Sequence, residues 1–135
     1  MKVENKITPN EDQINGFLEK PDLGPISMVN LLKYKKNAIY KDGRDTNLSG
    51  KEAYQLYASE VISFVEKYGG EFIFAGSVNR LTIGEVENMW DSVAIANYPS
   101  RKAMMDMTMD PEYQKIHVHR DAGLEGQLNI ETIGN

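Results

Sequence analysis

Residues 91–120 read DSVAIANYPSRKAMMDMTMDPEYQKIHVHR, and this stretch decides the fold. From Ser92 to Tyr98 it is built of small and β-branched residues, with apolar side chains on both alternating faces, as in a strand buried on two sides. Pro99 stops that strand. Ser100 is placed to cap a helix running through Ala103, Met104 and Met107 to about Met109, its hydroxyl taking up a free first-turn amide. Asp110-Pro111 then restarts a helix, with Asp as N-cap and Pro at the first helical position, where its missing N–H costs nothing. Beyond it, Ile116, His117 and Arg120 follow Tyr113 at i+3, i+4 and i+7, so these four share one helical face and His119 points elsewhere.

The chain of 135 residues has room for one domain with a real core, read as a single domain over 1–135 whose residues 1–25 form an N-terminal helical appendage. A formal net charge of −5, with Lys33, Lys35 and Lys36 as the only dense basic cluster, argues against nucleic acid as a partner. There is no cysteine, which excludes disulfides, thiolate metal ligands and a cysteine nucleophile. No stretch approaches the roughly 20 apolar residues that a membrane span needs, so the expectation is a cytoplasmic protein with no membrane partner.

Working outward to the start, Thr8-Pro9-Asn10-Glu11 has the form of a capping box, opening a short helix with Ile14, Phe17 and Leu18 as its apolar stripe and the turn residues from Lys20 to Pro25 as its end. Ile26 to Tyr34 alternates as a strand, with Ile26, Met28, Asn30, Leu32 and Tyr34 on one face. Asn30 is an amide among apolar neighbours. Its partners are either backbone groups or something bound. Lys35 to Leu48 is polar, with a tight turn at Lys41-Asp42-Gly43-Arg44, and reads as a loop or small hairpin. Ser49-Gly50-Lys51-Glu52 is a second capping box, opening the longest helix, which runs to about Tyr68 with Tyr54, Tyr57, Ala58, Val61, Val65 and Tyr68 on its apolar face. Tyr54 and Tyr57 are either structural phenols at a sheet–helix interface or the lining of a cavity. Gly69-Gly70 ends this helix. Glu71 to Val78 is extended, with Phe72 and Phe74 expected on one face, a bulge expected at Gly76 and a prolongation through Asn79 to Ile83. Gln127 to Ile133 is the last strand, with Leu128 and Ile130 on one face and polar residues on the other.

The fold class is therefore α+β: a ferredoxin-like β-α-β-β-α-β chain, giving a four-stranded antiparallel sheet with the helices on one face, plus an N-terminal helix. Val29, Leu31, Val93 and Ile95 leave the other face apolar as well, and face-to-face pairing in a symmetric homodimer would cover it.

The runs Asn30-Leu31-Leu32-Lys33-Tyr34 and Ser49-Gly50-Lys51-Glu52-Ala53-Tyr54, the pairs Gly69-Gly70 and Trp90-Asp91, then Tyr98-Pro99-Ser100, Asp110-Pro111-Glu112-Tyr113 and His119-Arg120 resemble, in order and spacing, the domain-of-unknown-function 1330 family. The resemblance covers nearly all of the chain after Pro25. It implies the dimeric α/β-barrel fold and points to the pair His119-Arg120. It supplies no reaction, because that superfamily holds cofactor-free monooxygenases, isomerases, haem-handling enzymes and plain ligand-binding proteins.

The candidate catalytic residues are His117, His119 and Arg120, with Asn30, Tyr54, Tyr57, Trp90, Asp91 and Tyr113 as candidate ligand-binding residues. His117 and Arg120 form either a polar end to an apolar pocket, with Arg120 anchoring a carboxylate or enolate, or a helix end favoured by its dipole. Asp91 is either a general base with Arg120 as its charge partner or an exposed turn carboxylate. His117 and His119 diverge on a helix and have no third ligand, so no metal or other cofactor is expected. Met104, Met105, Met107 and Met109 read as core and interface filler. Two functions fit these residues. One is a cofactor-free enzyme acting on a small aromatic or oxygenated acid, with Asn30, Tyr57, His119 and Arg120 orienting it and a histidine moving the proton. The other is a non-catalytic homodimer that binds a small molecule or only builds an assembly. Haem binding is a third, minor reading.

Overall fold

The computed structural model describes residues 3–20 and 23–134, so Pro21 and Asp22 of the expected turn lie outside the described residues. Helix α1 (Glu11–Leu18) precedes strand β1 (Ile26–Tyr34), helix α2 (Gly50–Lys67), strands β2 (Glu71–Ser77) and β3 (Ser92–Tyr98), helices α3 (Arg101–Met109) and α4 (Pro111–Gly123), and strand β4 (Leu124–Thr132). This is the ferredoxin-like order with its second helical crossover split in two. The described strands form one sheet in the order β2-β3-β1-β4, with every neighbouring pair antiparallel.

The local signals that set these elements are mostly where the sequence puts them. Ser100 accepts from the Ala103 amide at 3.0 Å and Asp110 from the Glu112 amide at 2.9 Å, so α3 and α4 are capped separately. The Ser49–Glu52 box closes in both directions. At the N-terminus the cap is Asn10, two residues after the expected Thr8. Asn10 and Gln13 close a reciprocal box of their own, which leaves Pro9 outside the helix. Of the expected stripe on α1, Phe17 packs on the core, while Ile14 and Leu18 stay exposed.

The core lies between sheet and helices. Ile26, Met28, Ala96 and Tyr98 meet Tyr57, Val61 and Val65 of α2, Met107 of α3, and Tyr113 and Ile116 of α4. Three expectations about the sheet need correction. Strand β2 ends at Ser77, and residues 78–91 run irregularly instead of prolonging it. The bulge falls between Phe72 and Phe74, so Phe72 opposite Ala96 faces the core while Phe74 opposite Ile95 faces away. Gly76 makes room instead, since a Cβ there would come within 2.9 Å of the Phe74 ring. Strand β4 starts at Leu124, directly after α4.

The sheet's second face carries Val29, Leu31, Val93, Ile95, Leu128, Ile130 and Phe74, all at least partly exposed, with Phe74 at 55%. The expected apolar second face is present, and no helix of the described chain covers it.

Helices α2 and α4 run antiparallel and are fastened at both ends. At one end Gly50 and Gly123 cross so closely that a Cβ on Gly123 would lie 2.3 Å from the Gly50 carbonyl oxygen. At the other, buried Asp110 accepts from Lys67 Nζ and Tyr68 Oη, both at 2.7 Å. Gly123→Ala should lower stability by about 1–3 kcal/mol, read by denaturant unfolding, because backbone and not a flexible side chain has to move. Lys67, then Tyr68 and the Glu112 amide, hold the Asp110 carboxyl at about 2, below the ordinary value of about 3.9. A depressed folded value means the stabilisation is complete above the unfolded value and lost as pH falls through the folded one. Acid melting curves of Asp110→Asn should therefore lack the part of the wild-type fall in melting temperature that Asp110 causes between about pH 4 and 2.

Candidate functional site

The last two turns of α4 bring His117, Arg120 and Asp121 against the β1–β4 pair, on the side of the sheet that faces the helices. Arg120 is the hub of this cluster, its side chain 13% exposed. Its Nη2 donates to Gln127 Oε1 at 2.6 Å and to the Ile7 carbonyl at 2.7 Å, and its Nη1 donates to Asp121 Oδ1 at 2.9 Å. Gln127 in turn donates through Nε2 to Asn30 Oδ1 at 2.6 Å. The Asn30 amide nitrogen donates to the Ala94 and Met28 carbonyls. Asn30 thus has backbone partners on one side and a path to Arg120 on the other.

The histidine's geometry fixes a tautomer. Arginine only donates, so Nη1 at 3.4 Å from His117 Nε2 requires a lone pair on Nε2, which leaves the proton on Nδ1, 3.3 Å from Asp121 Oδ2. Burial pushes the Asp121 carboxyl up, but the His117 N–H and the positive charges of Arg120 and Lys41 outweigh it and hold it low. Asp121 therefore stays ionised and orients the imidazole.

A stack of phenols closes the apolar side. Tyr34 and Tyr54, and Tyr54 and Tyr57, stand with ring centroids 5.4 Å apart, and the Tyr57 and Tyr113 hydroxyls share a hydrogen bond of 2.8 Å. The His117 ring lies 5.8 Å from that of Tyr113 and 6.4 Å from that of Tyr57. Burial raises the pKa of Tyr54, Tyr57 and Tyr113, so all three keep their protons at neutral pH.

The structure thus brings together Asn30, Tyr54, Tyr57, Tyr113, His117 and Arg120, and holds the other candidates apart from them. His119 Nδ1 lies 2.7 Å from the hydroxyl of Tyr40, in the loop after β1. That loop is packed down, with Tyr40 5% exposed and the Ile39 amide donating to the Ala122 carbonyl. Asp91 is held by Lys33 rather than Arg120, and its Oδ2 accepts from the Tyr34 amide at 2.8 Å. Trp90 lines a separate cleft of about 110 Å³ with Val3, Asn5, Lys33 and Met89. Sequence reasoning missed Asp121 and Gln127. Asp121 carried a signal, standing beside Arg120 and at i+4 from His117; Gln127 carried none beyond its place on the polar face of β4.

Residues 44–131 match the family described as a domain of unknown function, DUF1330. The methylated RPA0582 protein, a protein of unknown function from Rhodopseudomonas palustris, has a crystal structure similar to this chain at 33% identity, over 98% of this chain and 97% of that one, with a TM-score of 0.87. SnoaB, a cofactor-independent oxygenase from Streptomyces nogalater, is similar at 12% identity, over 83% and 94% of the two chains, with a TM-score of 0.52. A DABB-family protein from Mesorhizobium loti, described as having a ferredoxin-like fold, is similar at 9% identity, over 83% and 98%, with a TM-score of 0.50. The last two likenesses concern the fold alone. No protein of curated function matches the sequence. Among the described residues no helix is long and apolar enough to cross a membrane.

Proposed function

This chain belongs to the DUF1330 family, and from that premise we propose that it is a cofactor-free enzyme acting on a small aromatic or oxygenated acid, bound where α4 meets the β1–β4 pair. The observation that carries the reading is the state of Arg120, a largely buried guanidinium whose Nη2 gives its bonds to two neutral acceptors and which meets a single carboxylate, Asp121. An acid's carboxylate would replace the neutral acceptors with a charge-assisted pair. The phenols of Tyr54, Tyr57 and Tyr113 offer ring faces and protonated hydroxyls to the acid's body.

Charge gives His117 its role. With a neutral imidazole, Arg120 and Asp121 balance. A bound carboxylate adds one negative charge beside the imidazole, and His117 is the group placed to take a proton from the substrate. Asp121 holds the imidazole in position for that transfer. Trp90, Asp91 and His119 fall outside this mechanism. SnoaB supports the reading as a protein of the same fold described as cofactor-independent.

One observation favours a non-catalytic, ligand-binding or structural homodimer. The space beside Arg120 is filled by contacting tyrosine rings, and no buried side-chain nitrogen or oxygen among the described residues lacks a partner. Thermal shift against benzoate, salicylate, phenylacetate and phenol separates these readings. At about 100 times its dissociation constant an acid should add roughly 2.7 kcal/mol to the wild type and nothing to Arg120→Ala. For an acid so found, His117→Ala should retain binding and lose about 100-fold or more in turnover. Binding without turnover in the wild type sinks the enzyme; no shift with any acid sinks the site.

In both readings a second copy of the chain covers the apolar sheet face. Antiparallel sheets stack face to face about 10 Å apart, and a two-fold axis sets each apolar patch against its own image. The wild type should sediment as a dimer at micromolar concentration, and Ile95→Glu as a monomer. A monomeric wild type would end this proposal.

A further inference from the structure

The acceptor that Arg120 turns toward the outside is not a side chain of the fold but the main-chain carbonyl of Ile7. Residues Val3 to Thr8 run along the free edge of β4. They are held there by one ladder hydrogen bond, from the Gln127 amide to the Lys6 carbonyl at 2.8 Å, by the Arg120 bond, and by Asn5 resting on Gly126. Every residue of this arm except Ile7 is exposed. A segment with so few buried contacts is at the low-stability end of a structure. Its one charged tie falls on the group proposed to anchor the ligand.

We propose that residues Val3 to Thr8 are a displaceable plug, with the Ile7 carbonyl standing in the place of one oxygen of the ligand's carboxylate, so that the acid gains Arg120 by unseating the arm. The arm is an internal competitor. It keeps Arg120 satisfied and partly dry when the site is empty and gives way to an acceptor carrying full charge. Apparent affinity is then the intrinsic affinity multiplied by the fraction of time the arm is unseated. This inference rests on the Arg120 site proposed above.

Gly126 supplies the test, because it takes no part in the Arg120 cluster. A Cβ at Gly126 would lie 2.2 Å from Asn5 Cβ, and its nearest neighbours all belong to Asn5. Gly126→Ala should lift the arm, and adding Asn5→Gly should let it return. Three full-length proteins, wild type, Gly126→Ala and Gly126→Ala/Asn5→Gly, are treated with phenylglyoxal, and modification of Arg120 is followed by peptide mass. The same three are titrated with benzoate. For an arm seated nine-tenths of the time, Gly126→Ala should react at Arg120 and bind benzoate about ten-fold better than wild type, and the double variant should revert. In the wild type alone, benzoate should speed hydrogen exchange of the Gln127 amide, a readout that does not depend on either variant folding. Equal Arg120 labelling in wild type and Gly126→Ala overturns the plug, and so, where benzoate does bind, does equal affinity in the two or a Gln127 amide that it leaves protected. Labelling that rises and reverts while benzoate binds none of the three upholds the plug and removes the acid-binding reading instead.

Discussion

The contact between α2 and α4 is the constraint on which the rest depends. A glycine-to-glycine crossing at one end and the Asp110–Lys67–Tyr68 cluster at the other fix the two helices in both separation and register. Close approach at Gly50 and Gly123 sets the first turns of α2 beside the last turns of α4. That is why Tyr57, early in α2 and packed on Tyr54, meets Tyr113 and His117. A side chain larger than hydrogen at either glycine would separate the phenols from the imidazole. The same crossing ends α4 directly at Leu124, so β4 begins at once and carries Gln127 under Arg120.

The polar cluster at this corner is consistent with the energetics of burial. A guanidinium as enclosed as Arg120 is tolerated only with its donors paired, and its four neighbours supply a carboxylate, a carbonyl, an amide oxygen and an imidazole nitrogen. Three of those come from the folded body. The fourth comes from the N-terminal arm, the least buried segment in contact with the cluster. This corner thus joins two kinds of support, side chains of α4 and β4 at Asp121 and Gln127 and the backbone of a mostly exposed arm at Ile7.

Much of this was legible in the sequence where a short-range rule governs. Ser92–Tyr98, the Ser100 cap, Asp110-Pro111 and the Ser49–Glu52 box are each decided within seven residues or fewer, and all stand in the structure as read. The shared face of Tyr113, His117 and Arg120 followed from helical spacing alone. What failed was decided elsewhere in the chain. Asn10 won the first cap because Gln13 could reciprocate. Phe74 left the core face because Ile73 is the extra residue of a bulge that only pairing with β3 defines. Gln127 joined the site through partners 97 residues before it and 7 residues before it, a link that no local pattern records.

Strand β4 shows how far a local pattern can mislead about which side is inside. Its polar residues Gln127, Asn129 and Glu131 stand on the helix side, opposite Leu32, Asn30 and Met28, and its apolar Leu128 and Ile130 point away. An isolated chain has no reason for that arrangement, since it spends apolar area on water and puts polar groups beside the core. The inward polar groups have specific work: Gln127 holds Arg120, and Glu131 takes Arg101 from the first turn of α3 at 2.7 and 2.8 Å. The outward apolar residues extend the patch begun by Val29, Leu31, Val93 and Ile95. One strand thus serves the helix side with its amides and carboxylate and adds its aliphatic groups to the open apolar face.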